Sequence, residues 1–220
     1  MVNKIPNGIV WVRTPKCATT TLAIQFEKFC KYSNIKTTLE SEHNIMAPVK
    51  YMNLGHLYSG DINWDVVKSQ DRLVIGSVRH PLKRFLSHYK HHLREGRYKQ
   101  YGEDVSSFYL ENYDNTHFES FIRTMDNYLT KYLGVGDDTK WDGNLVLEKY
   151  DFFTLTENIQ ETYKKFKKIS GYTIEDVDIK ENSTKYNLKI TDKFLKLFES
   201  RNISDYGLFD FIIKNYGYEN

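Results

Sequence analysis

The stretch Gly8-Ile-Val-Trp-Val-Arg13 runs straight into Thr14-Pro-Lys-Cys-Ala-Thr-Thr-Thr-Leu22. The first part is an apolar run of strand length, ended by Thr14-Pro15. From Thr19 to Asn34 the spacing turns helical, with Leu22, Phe26, Phe29 and Cys30 on one face. The unit therefore reads strand, tight loop, helix. A second copy of that order lies downstream. Arg72-Leu-Val-Ile-Gly-Ser-Val78 lacks in/out alternation, as a strand buried on both faces does. Pro81 follows and suits the first turn of a helix. Leu82, Phe85, Leu86 and Tyr89 then recur at helical spacing. Strands alternating with helices predict an α/β fold, a three-layer arrangement with a central, mainly parallel sheet flanked by helices.

The rest of the chain extends that pattern. Tyr98 to Leu133 reads as irregular helix, with Phe118, Phe121, Ile122 and Met125 in period. Leu145-Val-Leu147 and Phe152-Phe-Thr-Leu155 are expected strands. Thr154 and Glu157 have capping-box spacing ahead of a helix carrying Ile159, Tyr163, Phe166 and Ile169, with Gly171 as its C-terminal cap. Two helices close the chain, one with Phe194, Leu195, Leu197 and Phe198, the other with Leu208, Phe209, Ile212 and Ile213. With no internal repeat and no Pro/Gly/Ser-rich linker, residues 1–220 are expected to form one domain.

Composition narrows the function. The 220 residues carry 31 Lys+Arg against 29 Asp+Glu, a net charge of +2. That near-balance argues against a nucleic-acid coat or a polybasic membrane binder, so any anion site must come from local placement of charge. Seventeen Tyr, 13 Phe and 3 Trp accompany a 40% hydrophobic content, which is not a disordered composition. Two cysteines, Cys17 and Cys30, provide neither a disulfide framework nor a four-ligand zinc site. No apolar run approaches the roughly 20 residues of a membrane helix. Met1 to Gly8 is short and polar, with no signal core. The expectation is a cytoplasmic protein without membrane contact. Abundant Lys, Asn, Tyr and Ile fit a low-GC microbial or viral genome.

The chemistry concentrates at the two strand ends. A loop opening a helix presents unpaired N–H groups and the positive end of the helix dipole. Here Lys16 adds a full charge and Thr19, Thr20 and Thr21 add hydroxyls, which makes a compact anion cradle. It is not a Walker A loop, whose glycines it lacks and whose lysine lies at the helix start. At the second strand end, Arg79-His-Pro-Leu-Lys-Arg-Phe-Leu-Ser-His-Tyr89 places Ser87 eight residues beyond Arg79, just over two helical turns. Two anion-suited strand ends in one sheet call for one ligand with two separated anionic groups.

These two segments resemble the phosphosulfate-binding motifs of sulfotransferases, the enzymes that use 3′-phosphoadenosine 5′-phosphosulfate (PAPS). The likeness is greatest to the carbohydrate sulfotransferases that include heparan sulfate and uronyl 2-O-sulfotransferases. Pro15-Lys16-Cys-Ala-Thr-Thr-Thr21 is similar to their P-K-x-[AG]-[ST]-[ST]-[ST] loop, and Arg79-x-Pro81-x-x-Arg84-x-x-Ser87-x-Tyr89 to their R-x-P-x-x-R-x-x-S-x-Y helix. His80 stands where an acidic residue is common. Tyr128 to Gly134, Tyr150 to Glu157, Glu181 to Thr184 and Asp205 to Phe209 resemble further segments, so the likeness covers most of the chain.

The resemblance implies a P-loop-like fold and sulfuryl transfer from PAPS, which leaves as 3′,5′-ADP, with no metal required. It implies that Lys16 stabilises the leaving oxygen, that Cys17, Ala18, Thr19, Thr20 and Thr21 join Lys16 around the 5′-phosphate, and that Arg79 and Ser87 hold the 3′-phosphate. Asn182 and Ser183 fall in the nucleotide-covering segment. Among seven histidines, His56 of Gly55-His56-Leu57 is the expected base, with His43 as the spare. Arg13, His43 and Arg84 are expected on the acceptor side, and the acceptor is expected to be a hydroxyl of a glycan or small sugar. His88, His91 and His92 lack the Glu of a zinc H-E-x-x-H motif and read as a polar helix face. Cys17 is open to two readings: a thiol activated by the helix end and Lys16, or a packed side chain. Two rival functions are an ATP-dependent P-loop-like kinase and a non-catalytic nucleotide- or glycan-binding protein on the same fold.

Overall fold

The computed structural model describes residues 8–32, 34–38, 51–53, 58–69, 72–94, 125–137, 139–170 and 191–218. Among them five strands, β1 (Ile9–Val12), β2 (Lys36–Thr38), β3 (Tyr51–Asn53), β4 (Leu73–Val78) and β5 (Phe152–Leu155), form a wholly parallel sheet in the order β2-β3-β1-β4-β5. The helices are α1 (Thr19–Tyr32), α2 (Trp64–Ser69), α3 (Pro81–Arg94), α4 (Tyr128–Tyr132), α5 (Gly143–Lys149), α6 (Ile159–Ser170), α7 (Asp192–Arg201) and α8 (Ile203–Asn215). Every residue of β1, β4 and β5 is buried, which is why their sequences are unbroken apolar runs.

Successive strand residues point to opposite faces, and the aromatics divide accordingly. Trp11 of β1 meets Phe26 of α1 edge-on at 4.9 Å, and Phe166 of α6 lies 4.9 Å from Phe26 and 5.0 Å from Phe29. Phe152 of β5 joins this group through Phe166. Its neighbour Phe153 faces the other way, 4.8 Å from Tyr150 and 4.9 Å from Tyr216, just past α8. Elements therefore cover both faces of the sheet, as the three-layer expectation requires. At Gly76 a Cβ would run into the Phe153 ring, so the close approach of β4 to β5 excludes any side chain there.

A buried polar thread crosses three adjacent strands. Trp11 Nε1 donates to Ser77 Oγ at 2.7 Å, and Thr154 Oγ1 donates to the same oxygen at 2.8 Å. It ties β1, β4 and β5 together one residue short of the end of β4, next to where the loops begin.

Two local expectations are corrected. Leu145-Val-Leu147 is helix, not strand, because Asp142 accepts the Asn144 and Leu145 N–H groups and starts α5. Of the three, only Val146 is fully buried, and Leu147 is 54% exposed. The Thr154–Glu157 capping box does not form either. Thr154 belongs to β5, its hydroxyl is committed to Ser77, and Asn158 Oδ1 receives the Glu161 N–H at 3.0 Å instead. Met125 lies in a turn just before α4 rather than in a helix. Phe118, Phe121, Ile122 and Gly171 lie outside the described residues. The short strands β2 and β3 and helix α2 had no counterpart in the sequence reading.

Candidate active site at the ends of β1 and β4

Strands β1 and β4 are neighbours, in register from Ile9–Leu73 to Val12–Gly76. The chain leaves β1 toward the β2–β3 side of the sheet and returns to β4 on the other side. Their carboxyl ends therefore flank a switch point, where parallel sheets open a crevice. Both motif loops start there.

The first loop is wound tightly. Thr14 N–H donates to Val12 O at 3.2 Å, and Cys17 N–H turns back onto Thr14 O at 3.4 Å. Lys16 and Ala18 have left-handed φ values of 69° and 53°. Each costs a non-glycine residue about 1–2 kcal/mol, so the surroundings hold the loop in a shape that a phosphate loop ordinarily obtains with glycine. The first helical bond of this turn is Leu22 N–H to Ala18 O, at 3.2 Å. The N–H groups of Thr19, Thr20 and Thr21 thus precede the intrahelical ladder, at the positive end of a helix of 14 residues. Thr20 is exposed, Lys16 and Thr21 are half-buried, and Thr19 and Cys17 are buried. Burial pushes the Cys17 thiol up to about 12, outweighing the lowering influence of Arg84 and Arg79. Its sulfur is a packed group, which answers the question the sequence left open.

The second loop reaches back to the first. Arg79 Nη1 donates to the main-chain oxygen of Lys16 at 3.2 Å. Glu157, in the 3₁₀ turn Thr156–Asn158 that follows β5, lies 3.8 Å from Arg79 Nε and accepts the His80 N–H at 3.2 Å. Burial raises the Glu157 pKa, against the pull of the His80 N–H and of Arg79. His80 packs its ring edge-on against Tyr206 and Phe209, and burial lowers its pKa. Ser87 is half-buried on α3.

Beneath the loop lies a polar cluster. Arg84 is 1% exposed, with its guanidinium 4.1 Å from the centre of the Tyr128 ring. Burial lowers its pKa, while Asp205 opposes the shift. Asp205 is equally buried; its carboxylate accepts the Leu129 and Thr130 N–H groups and the Thr130 hydroxyl at 2.8–2.9 Å. Tyr128 stacks on Tyr132 at 5.5 Å, Tyr58 meets Tyr132 at 5.4 Å, and Tyr132 Oη donates to Arg13 O at 3.4 Å. Arg13 holds its guanidinium 5.4 Å from the Trp11 ring centre. His88 lies edge-on to Tyr128 at 6.3 Å.

The structure thus brings together Arg13, Lys16 to Thr21, Arg79 and Arg84. His43, His56, Asn182 and Ser183 lie outside the described residues. Sequence reasoning gave Glu157 only a helix-capping role and assigned none to Tyr128, Tyr132 or Asp205. Only the i, i+4 pair of tyrosines left a visible signal, since the others meet their partners across 75 residues or more. Among the described residues no group of three His, Cys, Asp or Glu is placed to hold a metal ion, and no helix is long and apolar enough to cross a membrane.

A tightly turned strand-to-helix loop, joined by an arginine from the adjacent strand end, marks an α/β protein whose two motif loops meet at one switch point of the sheet. A sequence model described as the sulfotransferase family matches residues 4–212, and the chain belongs to that family. It is accordingly a transferase, of the kind that moves a sulfuryl group to a hydroxyl acceptor. No curated protein matches the chain.

Proposed function

We propose that this sulfotransferase uses PAPS as donor and a carbohydrate hydroxyl as acceptor. The observation that carries the reading is the joining of the two strand ends, with Arg79 donating to the main chain of Lys16 beside the start of α1. The residues present fit the donor: a left-handed loop with helix-start amides suits one phosphate, and an anchored arginine in the adjoining loop suits a second. When bound, PAPS supplies the sulfuryl group and departs as 3′,5′-ADP.

The chain's own groups divide the remaining work. Amides and hydroxyls of Thr19, Thr20 and Thr21, with Cys17 and Ala18 shaping the turn, hold the 5′-phosphate. Lys16 sets a positive charge against the leaving oxygen, where charge grows as the bond breaks. Arg79 and Ser87 hold the 3′-phosphate, and Asn182 and Ser183 cover the nucleotide. His56 accepts the proton of the acceptor hydroxyl. Arg13 and His43 are assigned to binding the acceptor; Arg84, being buried, contributes by supporting Tyr128. No metal enters this scheme.

The test is transfer of labelled sulfate from PAPS to a panel of glycans and sugars, alongside calorimetric binding of 3′,5′-ADP. We expect transfer to at least one sugar, and a loss of about 10²–10³ in kcat for Lys16→Ala. The absence of both transfer and 3′,5′-ADP binding would overturn the reading. Thermal stabilisation by ATP–magnesium but not by 3′,5′-ADP would mark a kinase instead.

A further inference from the structure

Arg79 is hydrogen-bonded on one edge and faces a carboxylate on another, the two groups coming from different parts of the chain. Its Nη1 donates to Lys16 O at 3.2 Å, and its Nε faces Glu157 Oε1 at 3.8 Å. The same carboxylate oxygen accepts the His80 N–H at 3.2 Å, so one group meets both the arginine and the amide that follows it. Glu157 is itself well placed to resist movement. The turn that carries it is stitched to the end of β4, where Thr156 Oγ1 donates to Val78 O at 3.2 Å. Nor is the pair a floating surface contact, since the Arg79 and Glu157 side chains are only 25% and 22% exposed.

A guanidinium bound only through Nη1 pivots about that bond. A carboxylate 3.8 Å from Nε makes no hydrogen bond there, but its charge attracts the Nε edge and favours one orientation of the group over the others. We infer that Glu157 is a positioning residue, which orients the guanidinium of Arg79 toward the 3′-phosphate it is proposed to hold. The inference rests on the proposed role of Arg79 in holding the 3′-phosphate.

Charge and orientation make opposite demands here, which makes the idea decidable. A carboxylate beside an arginine subtracts positive potential, so on charge alone its removal tightens anion binding. If its work is orientation, its removal weakens binding of the group that Arg79 holds.

The experiment compares wild type, Glu157→Gln and Glu157→Ala. Calorimetry reads the affinities for 3′,5′-ADP and for 5′-AMP, which lacks the 3′-phosphate. NMR of the nucleotide-free protein reads solvent exchange of the Arg79 Nε–H, assigned by its disappearance in Arg79→Lys. We expect 3′,5′-ADP to bind about tenfold more weakly to both Glu157 variants, with 5′-AMP changed by less than about twofold. The Arg79 Nε–H is buried, and a guanidinium freed from Glu157 exposes it to water more often, so it is expected to exchange about tenfold faster in both. Tighter or unchanged 3′,5′-ADP binding overturns the inference, as does equal weakening of both nucleotides. If the wild type binds neither nucleotide, the donor assignment fails by itself. The exchange rates then decide the positioning role alone, and equal rates in wild type and both variants overturn it.

Discussion

At the scale of single residues, position along the loop matters less than what surrounds it. Cys17 sits beside a lysine and a helix start, two features that activate thiols, yet it is fully buried and its pKa rises to about 12. Cys30 is buried as well, and is also pushed up to about 12, mainly by burial. Neither thiol of the folded protein is therefore expected to react with a disulfide reagent within minutes at pH 8, and both are expected to react once denaturant is added. Labelling of Cys17 in the folded protein at the rate of a free thiol would contradict this. Arg84 makes the same point for charge. Its expected place is on the acceptor side, but its guanidinium is sealed under Tyr128, and its Nε and Nη1 have no hydrogen-bond partner among the described residues.

At the scale of elements, the long apolar runs were legible and the short pieces were not. β1, β4, β5 and α1 lie within about a residue or two of their expected bounds, and α3 starts at Pro81 as expected but runs on to Arg94, because each has enough apolar residues for its burial pattern to appear in the sequence. The three-residue strands β2 and β3 have no period to read. Leu145-Val-Leu147 is apolar like a strand, but a capping aspartate three residues upstream decided for helix. The joints between elements are polar and tertiary, and Ser77 is the clearest. Replacing it with Ala leaves the Trp11 N–H and the Thr154 hydroxyl buried without their acceptor. Ser77→Ala is expected to lose about 1–3 kcal/mol in urea unfolding, with m unchanged. A loss below about 0.5 kcal/mol would show that the thread across β1, β4 and β5 contributes little.

For the whole molecule, a net charge of +2 conceals opposing local effects. Burial lowers the pKa of His80 and raises those of Glu157 and Asp205. In the folded state His80 binds fewer protons than it does unfolded, so its contribution to stability is complete above the ordinary histidine range and declines as pH falls through it. The two carboxyls act in the opposite sense: between their ordinary and their raised values the folded state holds the proton more tightly, so acid favours it there. Unfolding free energy measured from pH 7.5 to 5.5 is therefore expected to fall more steeply for wild type than for His80→Gln. Parallel curves would remove His80 as a source of acid sensitivity.

By itself the sequence determined the α/β class, the two strand–loop–helix units and the positions of both motif loops. Each follows from local spacing, since apolar period and helix-start chemistry are written within a dozen residues. Only the tertiary structure decided that β1 and β4 lie side by side, that Lys16 and Ala18 take glycine-like backbone angles, and that Arg79 reaches Lys16 while Glu157 reaches Arg79. Those contacts join groups 63 to 78 residues apart. Strand order and burial set them, and no local pattern records either.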